Sequence, residues 1–497
     1  MVFYYLGINQ DTEGIDAVLF NMAWQVVARG CCAIELLRPR DGWVENNAEQ
    51  VWEATQAAVG QALQKAGAEP RQIRSIGINH EGETVVMWNK FTGRPLYNSI
   101  VWRDQRTVHR CDQMALQYNN LVHQKTGLMI DSYFSAPKVQ WILEHIPGAQ
   151  EALESGALLA GSMGCWLVWK MTGGRFHITD TSSASRTLFF DVNLEEWCQD
   201  TTEIFGADPS ILPTICDSAP RGVRTDPQSF LGIDAPIGGL LVDQQAALLG
   251  QGCTMPGAIK ATYGNGCFLL MNTGPVLVQS HNGLLPTVAW QTKNTTTYAL
   301  DGGVYTTGGA ARWLSRTMGL MDDPTQSEQM AASVPDTGGV IFVPAFTGLA
   351  APYWDSYARG MMIGLTAETT PAHLARATLE ATAYQVWDLL DAMKKDAQMP
   401  IPVLRCHGRP AANRFMMQFQ SDILGLPLEV SGQEEITALG AAFLGAISVG
   451  DYDSIDDIDS LWRCERSYEP QMTEERRGHL LYHWHRAVER AKYWSED

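Results

Sequence analysis

The 497-residue chain lacks most of the marks that would place it outside the cell, in a membrane or on nucleic acid. Its ten cysteines are scattered, with Cys31 and Cys32 adjacent, and no CxxC pair or Cys/His ligand spacing occurs. That pattern excludes a zinc site by spacing and reads as reduced thiols, not a disulfide framework. No apolar run approaches the ~18 residues that cross a bilayer. No basic segment leads into an apolar one at the start, so a secretory leader is not expected. Basic residues are in deficit: 36 Lys and Arg stand against 55 Asp and Glu, a formal charge of −19. That balance disfavours nucleic acid and anionic membrane surfaces as partners. The expectation is a cytoplasmic protein with no metal cluster.

What is present describes a two-domain chain. Its length exceeds one ordinary core, and 45% hydrophobic with 18% charged residues is a globular composition. It opens on two β-type runs, Val2–Ile8 and Ala17–Phe20, around a polar turn over Asn9–Asp16: a β-hairpin by pattern. That turn carries three acids, Asp11, Glu13 and Asp16, which would repel an anion. Strands and helices then alternate. "VWEATQAAVGQALQKAGA" has helical apolar spacing, "IRSIGIN" and "TVVMWN" are strands, and "YFSAPKVQWILEHI" starts a helix with Pro137 in its first turn. The second half repeats the plan. "AIKATYGNGCFLLMNT" is two apolar runs around Gly264-Asn265-Gly266, "YALDGGVYTTGGAARWLSRTMG" passes from strand to helix, and "PAHLARATLEATAYQVWDLLDAMKKD" is a long amphipathic helix. Two hairpin-led halves, 1–250 and 251–497, with a Gly-rich break within Leu248–Pro256, predict two similar α/β domains facing a central cleft where ligands bind. The acidic stretch "DYDSIDDIDSLW" reads as a solvated surface segment.

Long segments carry a family resemblance. "YFSAPKVQWILEH" (Tyr133–His145) and "GMMIGLTAETTPAHLARATLE" (Gly360–Glu380), with "DQQAALLGQG", "ATYGNGCFLLMNTG" and "PAFTGLAAPYWDSYARG" in order, resemble the FGGY carbohydrate kinases, and among them the glycerol kinases. The resemblance implies two actin-like (ribonuclease H-like) α/β domains, the first on the acceptor side and the second on the nucleotide side. It implies phosphoryl transfer from ATP to a polyol or sugar hydroxyl. Such chemistry is mostly positioning and charge stabilisation, with a carboxylate to take the hydroxyl proton. Asp243, in "LVDQQAA", matches the catalytic base and a substrate ligand; by pattern alone it reads equally as a helix N-cap. Glu83, Trp102, Tyr133 and Phe268 match polyol-binding positions, although Trp102 and Phe268 also read as core. Gly82 stands where these kinases carry an arginine. Its loss is expected to open volume, weaken a glycerol contact and admit larger acceptors.

The nucleotide side departs from the family. Asn9 replaces an aspartate that organises Mg²⁺, Asp11 a glycine, Glu13 a threonine and Asp16 an arginine, while Thr12 is kept. Between Gly264 and Gly266, Asn265 replaces a threonine. Beyond Gly308, Arg312 replaces a glutamine. In the adenosine turn Arg409 follows Gly408 where a second glycine belongs; Asn413 is kept and Arg414 follows it. A carboxylate ~4 Å from a phosphate charge costs roughly 4 kcal/mol at an effective dielectric of 20. A loss of that size is about a thousandfold in rate.

Three functions follow from these residues. The first is a pseudokinase, impaired in Mg-ATP use but holding a polyol or sugar pocket, acting by binding as a sensor or as partner of an active kinase; the resemblance also implies a homo-oligomer. The second is an active polyol kinase whose Asp11, Glu13 and Asp16 hold a metal more directly. The third is another reaction, on a cationic substrate drawn to the acidic turn. Mg²⁺ and ATP enter only if kinase activity survives.

Overall fold

The computed structural model describes residues 2–433 and 435–495. Strand Tyr4–Asp11 pairs antiparallel with Gly14–Asn21, in register from Tyr4 opposite Asn21 to Asp11 opposite Gly14. The hairpin is as expected, but its turn is only Thr12-Glu13. Asn9 and Asp16, expected in the turn, face each other across the ladder. Strand alternation simply continues through polar residues: Ile8, Gln10 and Thr12 are all buried.

This hairpin belongs to a five-stranded sheet, in spatial order Ile237–Val242, Ile73–His80, Tyr4–Asp11, Gly14–Asn21 and Val26–Ala33. The first three strands run parallel and the rest antiparallel. In the second half, Leu428–Ser431, Leu404–His407, Ile259–Tyr263, Cys267–Gly274 and Thr295–Val304 repeat both order and direction. Leu285–Thr292 and Cys464–Tyr468 extend that sheet at its edges. The repeat suggested by the two hairpins is therefore one of topology.

The halves interlock. Helix Ile436–Ser448, "ITALGAAFLGAIS", has no polar face and is buried along nearly its whole length. Although it belongs to the second half, it lies on the first sheet, backbone against backbone. A Cβ on Gly77 would sit 2.0 Å from the Ala441 carbonyl oxygen, and one on Gly239 2.1 Å from the same atom. A Cβ on Gly7 would sit 2.6 Å from the Ala438 oxygen.

The acidic stretch that follows is not merely solvated. Asp451 pairs with Arg74 at 2.8 Å and accepts from the Tyr5 hydroxyl at 2.9 Å. Tyr452 accepts from the Trp24 indole at 2.9 Å, and Ile458 is buried. These partners, distant in sequence, tie the stretch to the first sheet. Among the described residues no helix is long and apolar enough to cross a membrane, and all ten cysteines are unpaired.

Candidate active site

Short elements of the first half set the acceptor side. Glu83 precedes strand Val85–Asn89, Trp102 follows Ser99–Ile100, and Tyr133 precedes helix Ser135–His145. Phe268 comes from the second half, on Cys267–Gly274. The Trp102 ring meets Tyr133 edge-on at 5.7 Å and Phe268 at 6.4 Å. Each of the three keeps part of its surface exposed, which sets aside the core reading. Tyr133 and Phe268 line a cavity that Asp301, Tyr305 and Trp354 also wall.

Glu83 is buried, and its Oε1 accepts from Arg186 Nε at 2.7 Å. Arg186, buried as well, reaches Asp301 at 3.0 Å. Gly82 does not open volume: a Cβ there would lie 2.9 Å from Val242 Cγ2 and 3.2 Å from Arg186 Cγ. The expected room for larger acceptors is therefore absent next to Gly82, and a guanidinium from elsewhere in the chain stands beside Glu83. Sequence reasoning missed Arg186 and Asp301. Their signal was a lone charge inside "SSASRTLFF" and another inside "YALDGGV", since charges in such runs are seldom buried unless paired.

Asp243 is the first residue of helix Asp243–Gly250, with Val242 at the cap position, so the N-cap reading falls. Its Oδ1 accepts from the Gln244 backbone N–H at 2.7 Å and its Oδ2 from the Gln244 side-chain amide at 2.8 Å. Gln244 Oε1 in turn accepts from Lys260 Nζ at 2.5 Å, and Lys260 also donates to Thr262 Oγ1 at 2.8 Å. Lys260 thereby fixes which way the Gln244 amide points, and Gln244 fixes the Asp243 carboxylate. Asp243 keeps partial exposure to the cleft, yet crowding by protein pushes its carboxyl up; Glu83 and Asp11 add to the push, against Gln244 and Lys260. Burial pushes the Lys260 ammonium down, while Asp301 and Asp243 hold it up. Gln244 and Lys260 were not singled out by sequence, although Lys260 is the sole charge in "AIKATY".

The first hairpin's acids are not left facing an anion unopposed. Asp16 pairs with Arg29 at 2.9 Å, Arg29 also holds Glu435 at 2.8 Å, and Glu13 pairs with Arg103 at 3.3 Å. Exposed pairs of this kind add little stability, but they cancel charge. The reading of the whole turn as anion-repelling is corrected to Asp11, whose Oδ1 accepts from the Thr12 N–H at 2.6 Å. Asp11 is exposed by area yet walled by protein on most sides, which raises its carboxyl. Among the described residues no group of three or more His, Cys, Asp or Glu is placed to hold a metal ion. The expected metal cage of Asp11, Glu13 and Asp16 is therefore not formed, because the last two turn to arginines. Asn9 remains in the ladder, between Asp16 and Asn79.

Thr12 ties the first hairpin to the acceptor side. Its Oγ1 donates to Glu81 Oε2 at 2.6 Å and accepts from Trp102 Nε1 at 3.0 Å. Glu81, also missed by sequence, is buried, and burial pushes its carboxyl up to about 7, Asp11 adding to the effect. A raised carboxyl favours the folded state while protonated. That contribution is complete below about pH 4.5 and lost as pH rises through about 7. Glu81→Gln is expected to leave stability unchanged at pH 4 and raise it by roughly 2–3 kcal/mol at pH 8. Urea midpoints at the two pH values check this; equal shifts at both would remove the buried-carboxyl explanation.

The nucleotide-side residues of the second half also converge. Gly264 and Asn265 form the turn between Ile259–Tyr263 and Cys267–Gly274, under the start of helix Gly308–Arg316. The Asn265 carbonyl accepts from the Thr307 N–H at 2.7 Å, and a Cβ on Gly308 would sit 2.5 Å from the Gly264 oxygen and 3.1 Å from Pro410. Gly408 has φ +103°, and a Cβ there would sit 2.0 Å from the Tyr263 oxygen, so glycine is required. Arg312, Arg409 and Arg414 are exposed on this face. Asn413 caps helix Arg414–Leu424, accepting from the Met416 N–H at 2.9 Å.

The chain as a whole matches known proteins in sequence and fold. The N-terminal domain of the FGGY family of carbohydrate kinases matches residues 4–250 and its C-terminal domain residues 259–449. The chain belongs to the FGGY family of carbohydrate kinases. A glycerol kinase of Nitratidesulfovibrio vulgaris is 44% identical over 498 residues, covering 100% of each chain. Glycerol kinase 2 of Thermotoga maritima is 42% identical over 494 residues, 99% of each. The crystal structure of Plasmodium falciparum glycerol kinase with ADP superposes with a TM-score of 0.91 at 34% identity, covering 99% of this chain and 98% of that one. The two sheets are thus the two α/β domains of the actin-like FGGY fold.

Proposed function

We propose that this FGGY protein is an ATP-dependent polyol kinase of the glycerol kinase type. The observation that carries the proposal is the Asp243–Gln244–Lys260 arrangement. A base must be within reach of the hydroxyl proton, held in one orientation and raised towards neutral pH. Both Asp243 oxygens are fixed by Gln244, and the crowded cleft raises the carboxyl. Glu83 and Tyr133 would hold the polyol hydroxyls, with Trp102 and Phe268 against its carbons. Lys260 supplies a fixed cation where negative charge develops. Mg²⁺ takes one or two carboxylates beside phosphate oxygens, and Asp11 in the first hairpin would offer one of them. When bound, such an ion neutralises phosphate charge.

A second reading, impaired Mg-ATP use, is favoured by Asn9 and Asp11 in the first hairpin. The arginine partners of Glu13 and Asp16 weaken it, and they remove the motive for a cationic substrate. The test is glycerol-dependent ADP formation at millimolar Mg-ATP, alongside calorimetric titration of glycerol and of Mg-ATP. Turnover supports the kinase. Glycerol binding without turnover, corrected by Asn9→Asp with Asp11→Gly, would establish the impaired-nucleotide reading instead.

A further inference from the structure

One buried ion pair in the acceptor region is incompletely satisfied. Arg186 uses Nε on Glu83 at 2.7 Å and Nη2 on Asp301 at 3.0 Å, but its Nη1 is buried without a hydrogen-bond partner. Asp301 Oδ1 is likewise buried and unpartnered. Arg186 is 2% exposed and Asp301 5%. One donor and one acceptor are therefore left open on the same pair. Asp301 walls the cavity with Tyr133 and Phe268, and the guanidinium lies 5.7 Å from the Tyr133 ring. Buried polar groups are costly to leave unpaired, so an exception in a ligand cavity points to a partner absent from the protein itself.

The chemistry of that partner is constrained. It must accept from Nη1 and donate to a carboxylate oxygen. A hydroxyl does both, whereas a fully ionised phosphate or carboxylate cannot donate to Asp301 and an ammonium cannot accept from Arg186. Gly82 has no side chain to offer a competing donor, and Arg186 Cγ lies beside it.

We propose that Arg186 and Asp301 together bind one hydroxyl of the polyol, selecting acceptors that carry a hydroxyl at that position. Arg186 thereby takes the guanidinium part that Gly82 gives up. This rests on the polyol-acceptor reading above. It extends that reading to two residues outside the motif that carries Glu83.

The test measures binding without nucleotide, so that phosphoryl transfer does not enter. Glycerol, 1,2-propanediol and 1,3-propanediol are titrated calorimetrically into the wild type, Asp301→Asn and Arg186→Lys. The wild type is expected to bind glycerol at least tenfold more tightly than one of the diols. Asp301→Asn is expected to weaken glycerol by 10- to 100-fold and that diol by less than threefold, erasing the discrimination. Arg186→Lys keeps the charge that Glu83 and Asp301 require but not the Nη1 donor, and should behave alike if Asp301→Asn does not fold. Folded variants that keep the wild-type discrimination would overturn the role of the pair and leave the polyol reading intact. Equal wild-type affinity for all three ligands would overturn the pair even without a folded variant. No binding of any of them would overturn both.

Discussion

Asp243→Asn is expected to lower kcat for polyol phosphorylation by roughly 10²–10⁴-fold, the usual share of a positioned general base. Asparagine keeps the size of the side chain and can still accept one of the two Gln244 hydrogen bonds. What it loses is the ability to take a proton. Polyol KM should therefore move much less than kcat. The pH profile carries an independent signature. Burial, Glu83 and Asp11 raise the Asp243 carboxyl. The base must be ionised to act, so kcat/KM should rise with pH along an acid limb well above the ordinary carboxylate range near 4. An Asp243→Asn enzyme retaining more than a tenth of wild-type kcat would mean that another group takes the proton.

Gly77→Ala is expected to destabilise the fold by about 3 kcal/mol or more, at or beyond the top of the usual range for overpacking. Its Cβ would meet the Ala441 carbonyl oxygen at 2.0 Å, the carbon at 2.1 Å and the Ala442 nitrogen at 2.4 Å. No side-chain rotation relieves a clash with backbone; the helix must lift or the strand must shift. Against a total stability of roughly 5–15 kcal/mol such a loss is large. Gly60→Ala is the matched control, because nothing lies within 4 Å of a Cβ there. It sits inside helix Ala48–Ala66 and should gain about 0.5–1 kcal/mol. Urea unfolding of the two variants reads the contrast. Equal midpoints would mean that the Ile436–Ser448 helix can yield without penalty.

The sequence was legible where local pattern and structure agree. Both hairpins, the helix at Ser135–His145 and the long helix Pro371–Ala397 announce themselves by period, Pro137 and Pro371. The hairpin turn is shorter than its polar run predicts, because Gln10 and Thr12 are polar yet inward. The charge of that turn is not legible locally either. Arg29 is 13 residues from Asp16 and Arg103 is 90 from Glu13, so neutralising partners are visible only once the chain is folded. Gly82 misled in the same way, since the volume expected there is filled by Val242 and Arg186. The Ile436–Ser448 helix gave no amphipathic signal because it is enclosed on every side.

That enclosure has a consequence for synthesis on the ribosome. The last strand of the first sheet ends at Val242, while the helix that covers its glycine-lined face is not complete until Ser448. At 5–20 residues per second, that face waits about 10–40 s for its cover while the second half is being made. During that interval Gly7, Gly77 and Gly239 present a flat surface with no side chains of their own, open to whatever apolar helix arrives first. A ribosome stalled between residues 250 and 436 thus holds a first sheet whose covering helix has not yet been made.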